Sequence, residues 1–152
     1  MLFAPLRTLA IALLTLGLAA CASGGGALSP GLSARMDKPG AALDRAEAIG
    51  IVNHYRQSSG APALTEDPTL DATAQALAAT YMKTGKQPSK PAGVRDVRYS
   101  AGYFTFAETF SGWRNSPADA PALTDAGATR AGVAVVYDAN SPYGTYWVIL
   151  LG

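Results

Sequence analysis

The sequence contains little that would support cysteine or histidine chemistry, with one cysteine and one histidine in 152 residues. A single cysteine cannot form an intramolecular disulfide, and zinc sites use three or four His, Cys or carboxylate ligands. The sequence has no Gly-x-Ser-x-Gly motif, and a Ser-His-Asp hydrolase would have to use His54 as its base. These scarcities argue against zinc enzymes and Ser-His-Asp hydrolases, and we expect no cofactor.

The chain also lacks an excess of either charge. Of its twelve Lys and Arg residues, Arg7 alone lies within residues 1–20, which leaves eleven cations against eleven Asp and Glu in the remainder. A balance near zero provides no electrostatic attraction to nucleic acid, so we expect no nucleic-acid partner. The sequence has no internal repeat, and residues 41–152 are close to the usual size of one domain.

The N-terminal residues are typical of an export signal. Arg7 precedes an apolar run over residues 8–20, which is shorter than the roughly 20 apolar residues that a membrane-spanning helix needs. The run ends in Leu18-Ala19-Ala20-Cys21, which resembles the lipobox of bacterial lipoproteins. That resemblance implies a signal peptide over residues 1–20, cleavage before Cys21, acylation of Cys21 and attachment to a membrane through lipid. The alternative is an ordinary secretory peptide followed by an incidental cysteine.

Residues 21–40 are predicted to be the lipidated cysteine and a flexible tether, because Gly and Pro punctuate them and no apolar period is present. The residue after Cys21 is Ala22 rather than Asp, and in this respect the sequence resembles lipoproteins that are sorted to an outer membrane. For a Gram-negative source, we therefore expect a lipid-anchored protein of the outer membrane that faces the periplasm.

Apolar spacing predicts two helices followed by two strands. The helices are expected over residues 41–59 and over residues 67–84, the second with Asp67 as its cap and Gly85 as its stop. Residues 130–137 and 145–151 are apolar on both faces, as strands buried between two layers would be. This order indicates an α+β fold with helices packed on a sheet.

An aromatic segment connects these parts. Phe106, Phe110 and Trp113 share one helical face, with Thr105 and Glu108 spaced as a capping box. Ser116-Pro117 is predicted to start a second, shorter helix with Asp119 at its third position. Glu108 and Asp119 are therefore candidate site residues, although capping explains both acids more simply than metal binding.

Several segments resemble a known family when they are taken together. They are Asn53-His54-Tyr55-Arg56, Gly60-Ala61-Pro62-Ala63-Leu64, Asp67-Pro68-x-Leu70 with an alanine-rich helix, Trp113-Arg114-Asn115-Ser116-Pro117, and the closing hairpin from Ala128. In order and spacing they resemble a bacterial CAP domain of the SCP, or cysteine-rich secretory protein, superfamily. The resemblance implies an α-β-α sandwich with a small antiparallel sheet between helix layers, here over residues 41–152.

The family's usual cleft gathers two histidines and acidic residues that can hold a divalent metal. Carried over by resemblance, the first histidine has no counterpart in residues 81–93. The acid of the family's Glu-Asn segment falls on Val97, beside Arg98, and the second histidine falls on Asp119. Glu108 remains as an acid in this region, so we expect no metal site.

Three functions stay open. The preferred one is a non-catalytic, lipid-anchored CAP-domain envelope protein whose degenerate cleft binds a small hydrophobic ligand, a glycan or a protein partner. The alternatives are a hydrolase or metal-dependent enzyme that uses His54, Glu108 and Asp119, and a purely structural envelope protein. The binding candidates share the aromatic corner or the expected cleft: Glu108, Asp119, Trp113, Tyr103 and Val97.

Overall fold

The computed structural model describes residues 28–152, and within this range the chain forms five helices and four strands. Residues 1–27, which include the predicted signal peptide and Cys21, lie outside the described residues. The elements in chain order are α1 (Pro30–Ser33), α2 (Arg45–Ser58), β1 (Thr65–Glu66), α3 (Pro68–Thr84), β2 (Asp96–Ala101), α4 (Phe106–Asn115), α5 (Ala120–Leu123), β3 (Arg130–Tyr137) and β4 (Thr145–Leu151).

The four strands form one sheet in the order β1-β3-β4-β2. β4 lies in the middle and pairs antiparallel with β3 on one side and with β2 on the other. The two-residue β1 pairs parallel with the start of β3, so the sheet is mixed rather than wholly antiparallel. The predicted α+β sandwich is confirmed, and so are the bounds expected for the two strands of the closing hairpin.

Helices cover both faces of this sheet. Trp147, Ile149 and Leu151 of β4 pack in a core with α2, α4 and α5, whereas Val148 and Leu150 pack in a second core with α3. Alternate residues of a strand point to opposite faces, so a strand between two helix layers must be apolar at every position. All seven residues of β4 are buried.

Close packing of α3 on β3 depends on Gly132. A Cβ at this position would lie 2.2 Å from the carbonyl carbon of Leu70 and 2.3 Å from the backbone nitrogen of Asp71. The buried Asp71 side chain also accepts a hydrogen bond from the backbone N–H of Val133 (2.8 Å). Glycine therefore lets the first turn of α3 reach the strand, where Asp71 satisfies a backbone donor.

Helix ends follow the predicted capping residues with one exception. Asp67 accepts hydrogen bonds from the first turn of α3, Gly85 ends that helix at φ 67°, and Thr105 and Glu108 form the predicted capping box of α4. The second helix of the aromatic corner begins at Ala120, later than predicted from Ser116-Pro117. Asp119 stands at its N-cap position without a side-chain capping bond, so the capping role predicted for Asp119 is wrong.

Part of the segment predicted as a flexible tether is folded. Leu32 and Met36 are buried in the core that contains α2 and α4, and the backbone N–H of Met36 donates to the carbonyl of Phe104 (2.8 Å). Two apolar residues among Gly and Pro give no helical or strand period, so the sequence does not reveal this packing. The packed region therefore begins before residue 41. No helix in residues 28–152 has the length and apolarity that crossing a membrane requires.

Candidate functional site

The histidine considered for catalysis lies on an exposed face of α2. His54 is solvent-exposed and makes no hydrogen bond or ion pair to the residues that the structure describes. Its neighbour Asn53 instead bonds to the following link, donating to the carbonyl of Leu64 (2.9 Å) and accepting from its N–H (2.7 Å). A general base needs a partner that orients it, and His54 has none in this part of the chain.

Arg56, two residues further along α2, has a structural role. Its guanidinium is fully buried and donates to four backbone carbonyls. Nε donates to Pro62 (2.7 Å), Nη1 to Leu123 (2.7 Å), and Nη2 to Asp125 (3.1 Å) and Ala128 (3.0 Å). The Asn53 and Arg56 side chains thus hold the loops around α2, which explains two polar residues of the segment that carries the family resemblance.

Glu108 is largely occupied by its own helix. One carboxylate oxygen, Oε2, accepts hydrogen bonds from the backbone N–H groups of Phe104 (3.1 Å) and Thr105 (3.0 Å) and from the Thr105 hydroxyl (3.0 Å). Thr105 Oγ1 accepts in return from the Glu108 N–H (3.2 Å). This reciprocal capping confirms the structural role predicted for Glu108 and leaves its second oxygen, Oε1, at the surface of α4.

Asp119 belongs to an ion-pair network on β2. The guanidinium of Arg98 donates from Nη1 and Nη2 to the two carboxylate oxygens of Asp96 (2.6 and 2.9 Å). Arg98 Nε lies 3.3 Å from Asp119 Oδ1, close enough for an ion pair but without hydrogen-bond alignment. One cation therefore holds two carboxylates at the position where the family resemblance places a histidine.

Val97 and Trp113 are core residues. Val97 is 8% exposed and packs with α3, whereas its neighbours Asp96 and Arg98 leave β2 on the opposite face. Trp113 is 2% exposed, packs in the other core and donates its indole N–H to the carbonyl of Tyr99 (3.1 Å). Val97 and Asp119 therefore do not converge on one cleft, and neither Val97 nor Trp113 offers an open surface.

Tyr103 and Glu108 do come together, at a shallow depression of 370 Å³ on the outer side of α4. The depression is open to solvent, and the residues that line it are Tyr103, Glu108, Ser111, Gly112 and Asn115. Tyr103 is 42% exposed. Two of the five residues proposed from the sequence thus share one surface feature.

A divalent metal does not fit the acids of this region. No group of three or more His, Cys, Asp or Glu side chains within residues 28–152 is arranged to hold a metal ion. The guanidinium of Arg98 lies against the carboxylates of both Asp96 and Asp119, so either acid would have to give up this contact to ligate a metal ion. In the sequence, the ion pair of Asp96 with Arg98 is indicated by their spacing of two residues, which places both side chains on one face of a strand.

The family comparison agrees with the fold. The model of the CAP family, described as the cysteine-rich secretory protein family, matches residues 49–151. The match begins within α2 and ends in β4, so it covers both helix layers and the whole sheet. No curated protein sequence matches the chain significantly.

Solved structures give the same fold at low sequence identity. An outer surface protein from Borrelia burgdorferi is similar with a TM-score of 0.58 and 18% identity, over 72% of this chain and 95% of that one. An extracellular SCP-domain protein from Bacillus anthracis has a TM-score of 0.57 at 17% identity over 70% of this chain. A cysteine-rich secretory protein from Staphylococcus aureus has a TM-score of 0.54 at 16% identity over 70% of this chain. This chain spans 39% and 37% of the lengths of the latter two.

Proposed function

Because this chain belongs to the cysteine-rich secretory protein (CAP) family, we propose that it is a non-catalytic CAP module displayed at a bacterial envelope. The observation that carries the proposal is the ion-pair network of Asp96, Arg98 and Asp119. A carboxylate that faces a guanidinium must give up that contact before it can ligate a metal ion. At the position given by the resemblance, an ion-pair network of one guanidinium and two carboxylates thus stands in place of a histidine.

The other groups considered for catalysis support the same proposal. His54 is exposed without an orienting partner, and Glu108 Oε2 already accepts three hydrogen bonds from its own capping box. A hydrolase needs a nucleophile or an activated water, a base and a group that stabilises the transition-state charge, all within contact distance. The described residues offer no such set, so the hydrolase is the weaker candidate.

An activity measurement tests the absence of catalysis. The purified protein is incubated with chromogenic ester, peptide and glycoside substrates, with and without added Zn²⁺ or Mg²⁺. We expect rates equal to the buffer background under every condition, because no proton carrier is positioned. Turnover that disappears in His54→Ala or Asp119→Asn would overturn the proposal in favour of an enzyme.

The envelope location is part of the same proposal. Two structural neighbours are described as an outer surface protein and an extracellular protein. The Leu18-Ala19-Ala20-Cys21 segment resembles a lipobox, and two or more acyl chains on Cys21 would anchor the chain stably. We therefore propose a lipid-anchored protein whose domain faces the periplasm, or the exterior of the cell.

Metabolic labelling tests the anchor. Cells that express the full chain are fed a palmitate analogue, and we expect label and protein in the membrane pellet. Cys21→Ser removes the acylated sulfur, so both label and pelleting should be lost. If Cys21→Ser were labelled and pelleted like the unmodified chain, lipid attachment at Cys21 would be wrong.

A binding role is favoured over a purely structural one by the surface of α4. The Tyr103 ring is exposed beside polar side chains in an open depression. Ligand sites combine apolar or aromatic surface with a few polar groups, and this depression has both, which supports a binding role. The ligand classes expected from the sequence were a small hydrophobic molecule, a glycan or a protein.

A further inference from the structure

The backbone of Tyr103 is held more rigidly than its exposure would suggest. Its carbonyl oxygen accepts hydrogen bonds from the Thr145 hydroxyl (2.6 Å) and from the indole N–H of Trp147 (2.8 Å). Both donors are fully buried in β4. An exposed loop residue is thus fixed to the central strand, and its ring is presented to solvent with little backbone freedom to lose on binding.

The ring of Tyr103 rests on a glycine. A Cβ at Gly112 would lie 3.2 Å from Tyr103 Cε2 and 3.4 Å from the phenol oxygen, so glycine permits the ring to lie against α4. The adjacent Phe104 ring is already covered by the guanidinium of Arg35, 4.6 Å from the ring centroid. Both rings are exposed to a similar extent, and Tyr103 is the one that lines the depression.

Polar groups surround the ring. Asn115 Nδ2 donates to Ser111 Oγ (3.3 Å), which orients both side chains along α4. Among the described residues, the hydroxyl groups of Ser111 and Tyr103 donate no hydrogen bond. Asn115 Oδ1 and Glu108 Oε1 accept none from residues 28–152. The depression therefore combines the face of one aromatic ring with hydrogen-bond donors and acceptors around the edge of that ring.

We propose that this depression binds a carbohydrate chain, an inference that rests on the proposed non-catalytic binding function and names its ligand class. A pyranose has one face of C–H groups that can lie on an aromatic ring, and hydroxyls around its edge that can bond to amide, hydroxyl and carboxylate groups. The depression is open to solvent, so a chain could pass across it without a buried end.

An apolar small molecule fits this surface less well. The depression is wide open to solvent, and the residues beside the Tyr103 ring carry a carboxylate, a hydroxyl and an amide. Pockets for apolar ligands are concave and bury about 70–90% of the ligand against mostly hydrophobic walls. A fatty acyl chain would remain largely in water here, whereas a sugar would keep its hydroxyls solvated.

Titration of three soluble hexasaccharides tests this inference. Chitohexaose, cellohexaose and maltohexaose are titrated into the purified full chain, followed by calorimetry and by amide chemical shifts. We expect at least one to bind, with shifts at Gly112 and Asn115. Tyr103→Ala should weaken binding about tenfold or more, because it removes the stacking ring. Tyr143→Ala, which removes a tyrosine that is 54% exposed but does not line the depression, should leave the affinity unchanged.

Three results would overturn the inference: no binding of any hexasaccharide, equal affinity in Tyr103→Ala, or octanoate binding that shifts Gly112 and Asn115 while the sugars do not. Gly112→Ala is a second variant, expected to displace the ring and weaken binding while Tyr103 is retained. Thermal melting of each variant verifies its fold. These failures are distinct from failure of the proposed function, which would appear as turnover in the ester, peptide and glycoside assays.

Discussion

Arg56 shows how much a single side chain can hold in this fold. It is a fully buried cation whose hydrogen bonds all go to backbone carbonyls, from the link after α2 to the loop that leads to β3. Burial lowers the pKa of Arg56, while the charge of Asp125 acts in the opposite direction. An arginine remains protonated in such a site because its ordinary pKa is so high. Asp125 itself pairs with Arg95 (2.8 Å).

Replacing Arg56 is expected to be strongly destabilising. Arg56→Met keeps much of the side-chain volume but leaves four carbonyl groups without their donor, which should lower the free energy of unfolding by about 3–5 kcal/mol. Urea denaturation measures the change. Arg114→Met is the matched control, since Arg114 is exposed and should change stability by less than about 0.5 kcal/mol. Equal effects of the two substitutions would contradict the structural role of Arg56.

At the level of secondary-structure elements, the close contact between α3 and β3 restricts which residue can stand at position 132. Gly132→Ala would place a methyl group against backbone atoms of Leu70 and Asp71, which cannot rotate away. We expect a loss of about 1–3 kcal/mol or more, with α3 displaced from the sheet. Gly50→Ala is the control: it lies inside α2 with no atom within 4 Å of the added Cβ, so it should stabilise by up to about 1 kcal/mol. If Gly132→Ala and Gly50→Ala changed the melting temperature in the same direction, the result would contradict this packing.

The edge of the sheet at β1 carries a carboxyl group whose pKa is shifted. Partial desolvation and then the neighbouring Asp71 carboxyl raise the pKa of Glu66, although its side chain is exposed, while Arg45 acts in the opposite direction. A raised pKa means that the folded state holds this proton more tightly than the unfolded chain does. The stabilisation is therefore complete below the ordinary glutamate pKa and is lost as pH rises through the raised value.

Glu66→Gln should remove this component of the pH dependence, because the amide has no proton to lose in that range. Urea denaturation between about pH 4 and 7 measures it. Asp125 should show the opposite pH dependence. Its hydrogen bond with Arg95, and then the one with the Gly127 N–H, lowers the pKa of its carboxyl. The contribution of Asp125 to stability is therefore lost as pH falls. If the wild-type and Glu66→Gln curves had the same shape, the Glu66 carboxyl would not be linked to folding through its proton.

The elements could largely be predicted from the sequence, and the site could not. Apolar period and capping residues are local signals, so α3, α4 and the two hairpin strands were predicted with nearly the observed bounds. The Arg98–Asp119 contact joins a strand to a helix 21 residues later, and no local pattern reports it. No local pattern reports the burial of Met36 or its backbone hydrogen bond to Phe104 either, since the partners of Met36 lie far along the chain.

At the scale of the whole molecule, the sandwich does not require a reactive centre. Its stability comes from a central strand buried on both faces, two helix layers and side chains such as Arg56 and Asp71 that satisfy backbone groups. Asp96, Arg98 and Asp119, where the resemblance places part of the family's cleft, pair with one another. An open depression around Tyr103 lies on the outer side of α4.

Zinc binding by the purified wild-type protein tests the central claim most directly, because the cleft that the family resemblance implies can hold a divalent ion. Calorimetric titration with ZnCl₂, together with elemental analysis of the protein as purified, gives stoichiometry and affinity. We predict no heat beyond dilution and far less than one zinc per chain, since no three ligands converge within residues 28–152 and Arg98 lies against Asp119. One zinc per chain, lost in both Asp119→Asn and His54→Ala, would contradict the account.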